Sequence, residues 1–240
     1  MWAHLQRQGV PVARCTVERL MRANRWRGAM RARTVRTTVA DPAAQRAPDL
    51  VNRQFHADRP DALWVADFTY VPTTSGFGYT AFVIDAFAGL IPGWACSLSK
   101  HARLVTSAIR QAAGRRARQG HRLAGETIHH SDAGSHLGPA RRNAASRGAD
   151  PLSGTVADAL DNALAETTIG LYKTECVRDG SPFRRGPIAT VTDLEEITSA
   201  WVHWYNTARL MHRLGRRPPA EAEADYYRDL AAVHTPNGKP

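Results

Sequence analysis

The 240-residue sequence holds only three cysteines, Cys15, Cys96 and Cys176, far apart and with no Cys-x-x-Cys pair. That excludes a disulfide framework and a thiolate zinc site. The opening residues, MWAHLQRQGV, lack the apolar core of a secretion signal. Long hydrophobic runs are scarce. The stretch from Tyr79 to Leu98 raises the question of a membrane span, but Asp85 lies inside it and Gly89, Pro92 and Gly93 interrupt it. Two buried strands and a turn fit better. No heptad run supports a coiled coil, and no repeat or low-complexity tract is present. Acids are short as well: 22 Asp and Glu stand against 32 Lys and Arg, a net charge of +10. The expectation is a soluble cytoplasmic, nucleoid-associated protein with a polyanionic partner, nucleic acid rather than membrane.

What is present is the composition of a globular chain, 43% hydrophobic and 22% charged, which excludes wholesale disorder. The length allows one sizeable domain or two small ones. Eight arginines (14, 19, 22, 25, 27, 31, 33 and 36) and one acid, Glu18, concentrate +7 of the charge near the N-terminus. Leu5, a Gly9-Val10-Pro11 turn, then Val17, Leu20 and Met21 predict a short helix, a turn and a second helix over residues 1–30. Arg14, Arg22, Arg25 and Arg27 of this helix-turn-helix-like region are candidate contacts to a DNA backbone. The few residues before Gly9 make its first helix look truncated. Residues 31–62, broken by Pro42, Pro48 and Pro60, read as a linker.

Leu63–Val71, Tyr79–Phe87 and Ile91–Ser97 are rich in aromatic and β-branched residues and predict three strands in an antiparallel meander. Arg103 to about Arg118 predicts a helix with Leu104, Val105, Ala108, Ile109 and Ala112 on one face. Glu126–Asp132 predicts a further strand. After Thr155 the chain reads as helical: Asp161–Cys176, a helix opened by a Thr192/Glu195 capping box, and a last one from Pro218-Pro219 through Tyr227. Residues 63–180 thus form a mixed α+β body, and 181–240 a helical C-terminal part and tail.

Three acids stand out. Asp67 sits in the apolar run LWVADFTYV, where a carboxylate must be paired, hydrogen-bonded or bound to a cation. Asp132 ends a strand before Gly134. Glu166 shares one helix face with Asn162, Gly170 and Lys173, while Leu164, Thr168, Leu171 and Tyr172 face away. Amide, carboxylate and lysine together suit a site that holds a hard cation, Mg²⁺ or Mn²⁺, and touches phosphate. Asp161 reads as a helix cap, Asp158 as loop, and Asp85 as a satisfied strand acid. His129 and His130 alternate across their strand, so one packs and the other faces the site.

The runs Leu63–Tyr70, His129-His130-Ser131-Asp132 and Asp161–Glu166 resemble transposases with a retroviral-integrase-like core, in particular the downstream reading-frame product of the IS-three group of insertion sequences. The likeness continues through Gly170–Glu175, Trp204-Tyr205-Asn206, Arg209, His212, Leu214-Gly215 and Pro218-Pro219, and covers most of residues 3 to 228. It implies an α/β, ribonuclease H-like fold with a D-D-E triad at Asp67, Asp132 and Glu166. Family members bind two divalent ions, Mg²⁺ or Mn²⁺, between such carboxylates and the scissile phosphate. Strand cleavage at the element's ends would be followed by strand transfer into target DNA. Asn162 and Lys173 would contact DNA near the cleaved end. The implied partners are double-stranded DNA, further copies of the chain on that DNA, and an upstream-frame helix-turn-helix protein.

The sequence departs from that pattern at several points. Ala133-Gly134-Ser135 replaces Arg-Gly-Ser, and Ala88-Gly89-Leu90-Ile91-Pro92 replaces Ser-Arg-Arg-Ile-Val. Residues 137–155 carry only Leu137 and Leu152 as large apolar residues, so a helix there would have no face to dock. Thirty-three residues separate Asp132 from Glu166, about two fewer than such motifs usually have. The alternative function is a non-catalytic DNA-binding protein or regulator of transposition.

Overall fold

The computed structural model describes residues 1–29, 57–99, 103–121, 123, 128–132, 154–157 and 163–234. Two short helices open the chain, α1 (Trp2–Arg7) and α2 (Arg14–Ala23), in the predicted helix-turn-helix order. The central sheet holds β1 (Leu63–Thr73), β2 (Gly76–Asp85), β3 (Gly93–Ser97), β4 (Ile128–Asp132) and β5 (Gly154–Ala157) in the order β3-β2-β1-β4-β5. The first three strands pair antiparallel as the predicted meander, whereas β4 and β5 join parallel. Helix α3 (Arg103–Arg118) crosses between the two halves. Helices α4 (Ala163–Tyr172), α5 (Val191–Thr207) and α6 (Pro219–His234) complete the chain.

β1 and β2 are apolar on both sides because both faces of the sheet are covered. Leu63, Val65, Val71, Phe82 and Ile84 pack with Tyr172, Cys176, Leu194 and Trp201 of the α4–α5 layer. Their neighbours along the strands, Trp64, Ala66, Ala81 and Val83, pack with Leu104, Val105, Ala108 and Ala112 of α3. Pro92 precedes β3, an edge strand, so no ladder bond is lost. Asn206 clamps Ile91 beside it, accepting from its N–H and donating to its C=O, each at 2.9 Å.

Asp85 is the satisfied acid expected. Buried, it accepts from the N–H groups of Asp61 (2.8 Å) and Phe87 (2.9 Å) and from Arg116 (3.2 Å). The buried Arg116 also bonds Asp61 at 2.8 Å and Glu223 of α6, so one guanidinium joins α3, β2 and α6 around three carboxylates.

Three local expectations are corrected. The capping box of α5 is Thr190 with Asp193, not Thr192 with Glu195. Asp193 accepts from the N–H groups of Ala189 (3.0 Å) and Thr190 (2.8 Å), which starts the helix two residues earlier. Gly154–Ala157 is a strand, where helix was expected after Thr155. Its four residues are too few to show a period and gain their conformation by pairing with β4. The helix read over Asp161–Cys176 is α-helical for Ala163–Tyr172 and then widens to a π-helical turn over Lys173–Val177. The polar stretch from Ala133 to Asp150, with Pro151 to Ser153 after it, lies outside the described residues.

Candidate active site

Asp67 lies midway along β1, half-buried, and its Oδ1 accepts the N–H of Phe68 at 2.7 Å. By strand alternation it follows Leu63 and Val65 onto the α4–α5 face. Asp132 is the last residue of β4. The parallel pairing of β1 with β4 runs to Ala66 opposite Ser131, so the next residue on each strand is one of the two aspartates. The side chains of Asp132, His129 and His130 lie outside the described residues. Glu166 occupies the first turn of α4 and is exposed, on a helix packed against β1 and β2. An acid in the first turn is stabilised by the helix dipole. Asn162, like Asp158 and Asp161, lies outside the described residues. Among the described side chains, which do not include Asp132, no group of three or more His, Cys, Asp or Glu is placed to hold a metal ion.

Lys173 stands two turns beyond Glu166, at the start of the π-helical turn. Its ammonium sits 4.5 Å from the centre of the Tyr70 ring. Burial lowers its pKa, and the negative charge of Asp67 works against that fall. Asp67 and Lys173 therefore share one electrostatic neighbourhood. Helix α4 buries Ala165, Thr168 and Tyr172, which leaves the stripe of Glu166, Gly170 and Lys173 on its less buried side.

The far end of this helix is held by Glu175, the last residue of the Gly170–Glu175 run. Arg209 grips its carboxylate through Nε and Nη2 at 2.7–3.0 Å, and Trp201 Nε1 donates to it at 3.3 Å. An acid in the π-helical turn and an arginine just past the end of α5 were the available signal. Tyr70 falls within the predicted strand Leu63–Val71 and Phe77 in the segment before Tyr79, and the sequence marks neither for a role. Both residues are exposed, at 53% and 56%, and their rings meet edge to face at 5.4 Å.

The basic candidates sit apart, on α2 and just after it. Arg14 pairs with Glu18 at 2.7 Å. Arg22, Arg25 and Arg27 are exposed and, with Trp26, line an open groove. Arg25 has a left-handed φ of 55°, which turns the chain so that Trp26 N–H bonds Met21 C=O at 2.8 Å. This unit touches α6 and the turn before it: Arg7 pairs with Glu221, and Arg216 lies 5.9 Å from the Trp2 ring centre.

Residues 57–151 and 148–219 each match the integrase core domain family, and residues 1–34 match an HTH-like domain family. The chain is 45% identical over 229 residues to a protein ascribed to insertion sequence element IS986/IS6110 of Mycobacterium tuberculosis, spanning 95% of this chain and 81% of that one. It is 45% identical over 232 residues to the transposase for insertion sequence element IS629 of Shigella sonnei, spanning 96% and 74%. Among solved structures, a chain of the simian T-cell lymphotropic virus intasome in complex with PP2A regulatory subunit B56 gamma superposes with a TM-score of 0.50. Their identity is 16%, over 83% of this chain and 63% of that one. The superposition and the integrase core match agree on a ribonuclease H-like α/β fold. No helix among the described residues is long and apolar enough to cross a membrane. With two relatives at 45% identity along nearly its whole length, this chain belongs to the insertion-sequence transposases built on an integrase core.

Proposed function

We propose that the protein cleaves DNA strands at the ends of an insertion sequence and joins the freed ends to target DNA, with Asp67, Asp132 and Glu166 as its working carboxylates. The observation that carries this reading is the parallel pairing of β1 with β4, in which the two aspartates follow the last paired residues side by side. Glu166 adds a third carboxylate from a helix packed on the same strand. Three hard oxygen donors suit Mg²⁺ or Mn²⁺, and two ions are expected among them. Such ions, when bound, activate an attacking water or 3′-hydroxyl and stabilise the departing oxygen.

The chain's own residues position the rest. The bond from Phe68 N–H fixes the orientation of the Asp67 carboxylate. Lys173 supplies a cation for a phosphate beside it, and Asn162 is a second contact to the DNA. Arg22, Arg25 and Arg27 hold duplex backbone away from the reacting bond, Arg14 less so because Glu18 already neutralises part of its charge. In cleavage the water oxygen bonds to phosphorus and the 3′-oxygen leaves. In joining, that 3′-oxygen attacks a target phosphodiester and releases a target 3′-hydroxyl. Copies of the chain assembled on DNA, with an upstream-frame helix-turn-helix protein, would bring two ends together.

Metal-dependent nicking of DNA carrying the element's end tests this reading. Glu166→Gln should lower the nicking rate on the order of 100-fold or more while DNA binding persists. A parent chain that binds DNA but never cuts it would favour the non-catalytic binding reading. Cutting without joining of a supplied 3′-hydroxyl end would favour a nuclease of the same fold.

A further inference from the structure

The chain draws its positive charge almost wholly from arginine: of 32 basic residues only Lys100, Lys173 and Lys239 are lysines. The two are not interchangeable, since a guanidinium is a broad plane and an ammonium a compact point charge on a flexible stem. A lysine on the face of Glu166 thus calls for a reason of its own.

The backbone beneath it is fixed. Lys173 opens the π-helical turn, Thr174 Oγ1 donates to Gly170 C=O at 2.7 Å, and Arg209 grips Glu175 two residues on. The side chain has four rotatable bonds, and confining it costs entropy that some contact must offset. Here the ammonium rests on a ring. Its Nζ lies 4.5 Å from the centre of the Tyr70 ring, within the range of cation–π attraction. Phe77 meets that ring edge to face at 5.4 Å and steadies it.

Strand alternation turns Tyr70 away from the side of the sheet that carries Asp67, whereas α4 packs on the Asp67 side. The ring therefore draws the ammonium towards the edge of β1. Among the described residues β4 pairs with that edge only as far as Ala66, four residues short of Tyr70. A carboxylate could hold an ammonium equally well but would neutralise it. A π face holds the cation and leaves its charge available to an anion. Lys173 is only half-buried, so a phosphate can reach it.

We propose that Tyr70 is a positioning residue, whose ring holds the Lys173 ammonium in place for a DNA phosphate. The proposal rests on the reading of Lys173 as a phosphate contact.

Both layers can be tested on the full chain. Lysine labelled with ¹³C at the ε carbon gives three ε-methylene signals, and Lys173→Met identifies the one from Lys173. Ring current should place that signal upfield of its position in the urea-unfolded chain. Tyr70→Leu should abolish the shift, and Tyr70→Phe should keep it, since the hydroxyl plays no part. Fluorescence anisotropy in chelator, where no strand is cut, then measures affinity for a duplex carrying the element's end. Tyr70→Leu should weaken binding about three-fold, and Tyr70→Phe should not. Tyr70 is exposed, so the fold should tolerate both changes. In a Lys173→Met background Tyr70→Leu should cost nothing further, which a merely structural role would not produce. An unshifted signal in the unaltered chain, or a Tyr70→Leu loss that persists beside Lys173→Met, would overturn the positioning and leave the phosphate contact standing. Full affinity in Lys173→Met alone would overturn the phosphate contact and the positioning with it.

Discussion

Arg116 sits among three carboxylates, those of Asp61, Asp85 and Glu223, all buried with it. One positive charge cannot balance three negative ones, so the arrangement favours a proton on the most deeply enclosed acid. Burial pushes the Asp85 carboxyl up from 3.8 to about 7, against the pull of its two backbone donors. The unfolded chain releases that proton near its ordinary pKa, while the folded chain keeps it to about pH 7. Between those values the folded state holds more protons, so this group's contribution to stability falls as pH rises. The loss across that window is about 4 kcal/mol at most. Asp85→Asn removes the titration and keeps an oxygen for the Asp61 N–H. Urea unfolding at pH 5 and pH 8 should show the unaltered chain losing more stability on the alkaline side than the variant does. A pH dependence identical in the two proteins would mean that Asp85 is ionised throughout.

At the scale of elements, contact between α3 and β3 is set by one missing methyl. A Cβ at Gly93 would lie 2.2 Å from Ala108 C=O oxygen and 2.7 Å from Ala112 N, both backbone atoms of the helix. Nothing flexible can yield, so α3 would have to move. Gly93→Ala should destabilise the fold by about 1–3 kcal/mol, more than the backbone entropy it returns. The check is a lower urea midpoint at unchanged slope, and an unaltered midpoint would deny that close approach. The sequence made the hairpin strands legible because alternating β-branched and aromatic residues leave few other conformations. It made α3 legible through its single apolar face. It could not reveal β5, whose four residues are extended only because β4 lies beside them. The two possible caps of α5 share one spacing, and the choice fell to amides at Ala189 and Thr190 that only the folded chain aligns. The acids of the candidate site were legible as charges out of place. The exposure of Tyr70 was not, since an aromatic residue in a strand looks the same whether it faces the core or the solvent.

The molecule as a whole divides its chemistry between two surfaces. The carboxylates belong to the sheet and α4, while the dense positive charge belongs to the N-terminal helices, whose Arg7 pairs with Glu221 of α6. Binding through arginines releases counterions from DNA, so log affinity should fall linearly with log salt, by about 0.9 per phosphate neutralised. Replacing Arg22, Arg25 and Arg27 together by Ala should make that slope shallower by roughly 2 to 3 units on duplexes of any sequence. All three side chains are exposed, so the thermal midpoint should stay where it is. Arg14→Ala should change the slope by less than about one unit, because Glu18 at 2.7 Å already neutralises part of its charge. Measuring the slope on an unrelated duplex and on one carrying the element's end separates backbone grip from recognition. Equal changes on both mean that the arginines hold phosphates. A change confined to the element's end would mean that the groove around Trp26 reads bases, and the basic region would then select the site as well as bind it.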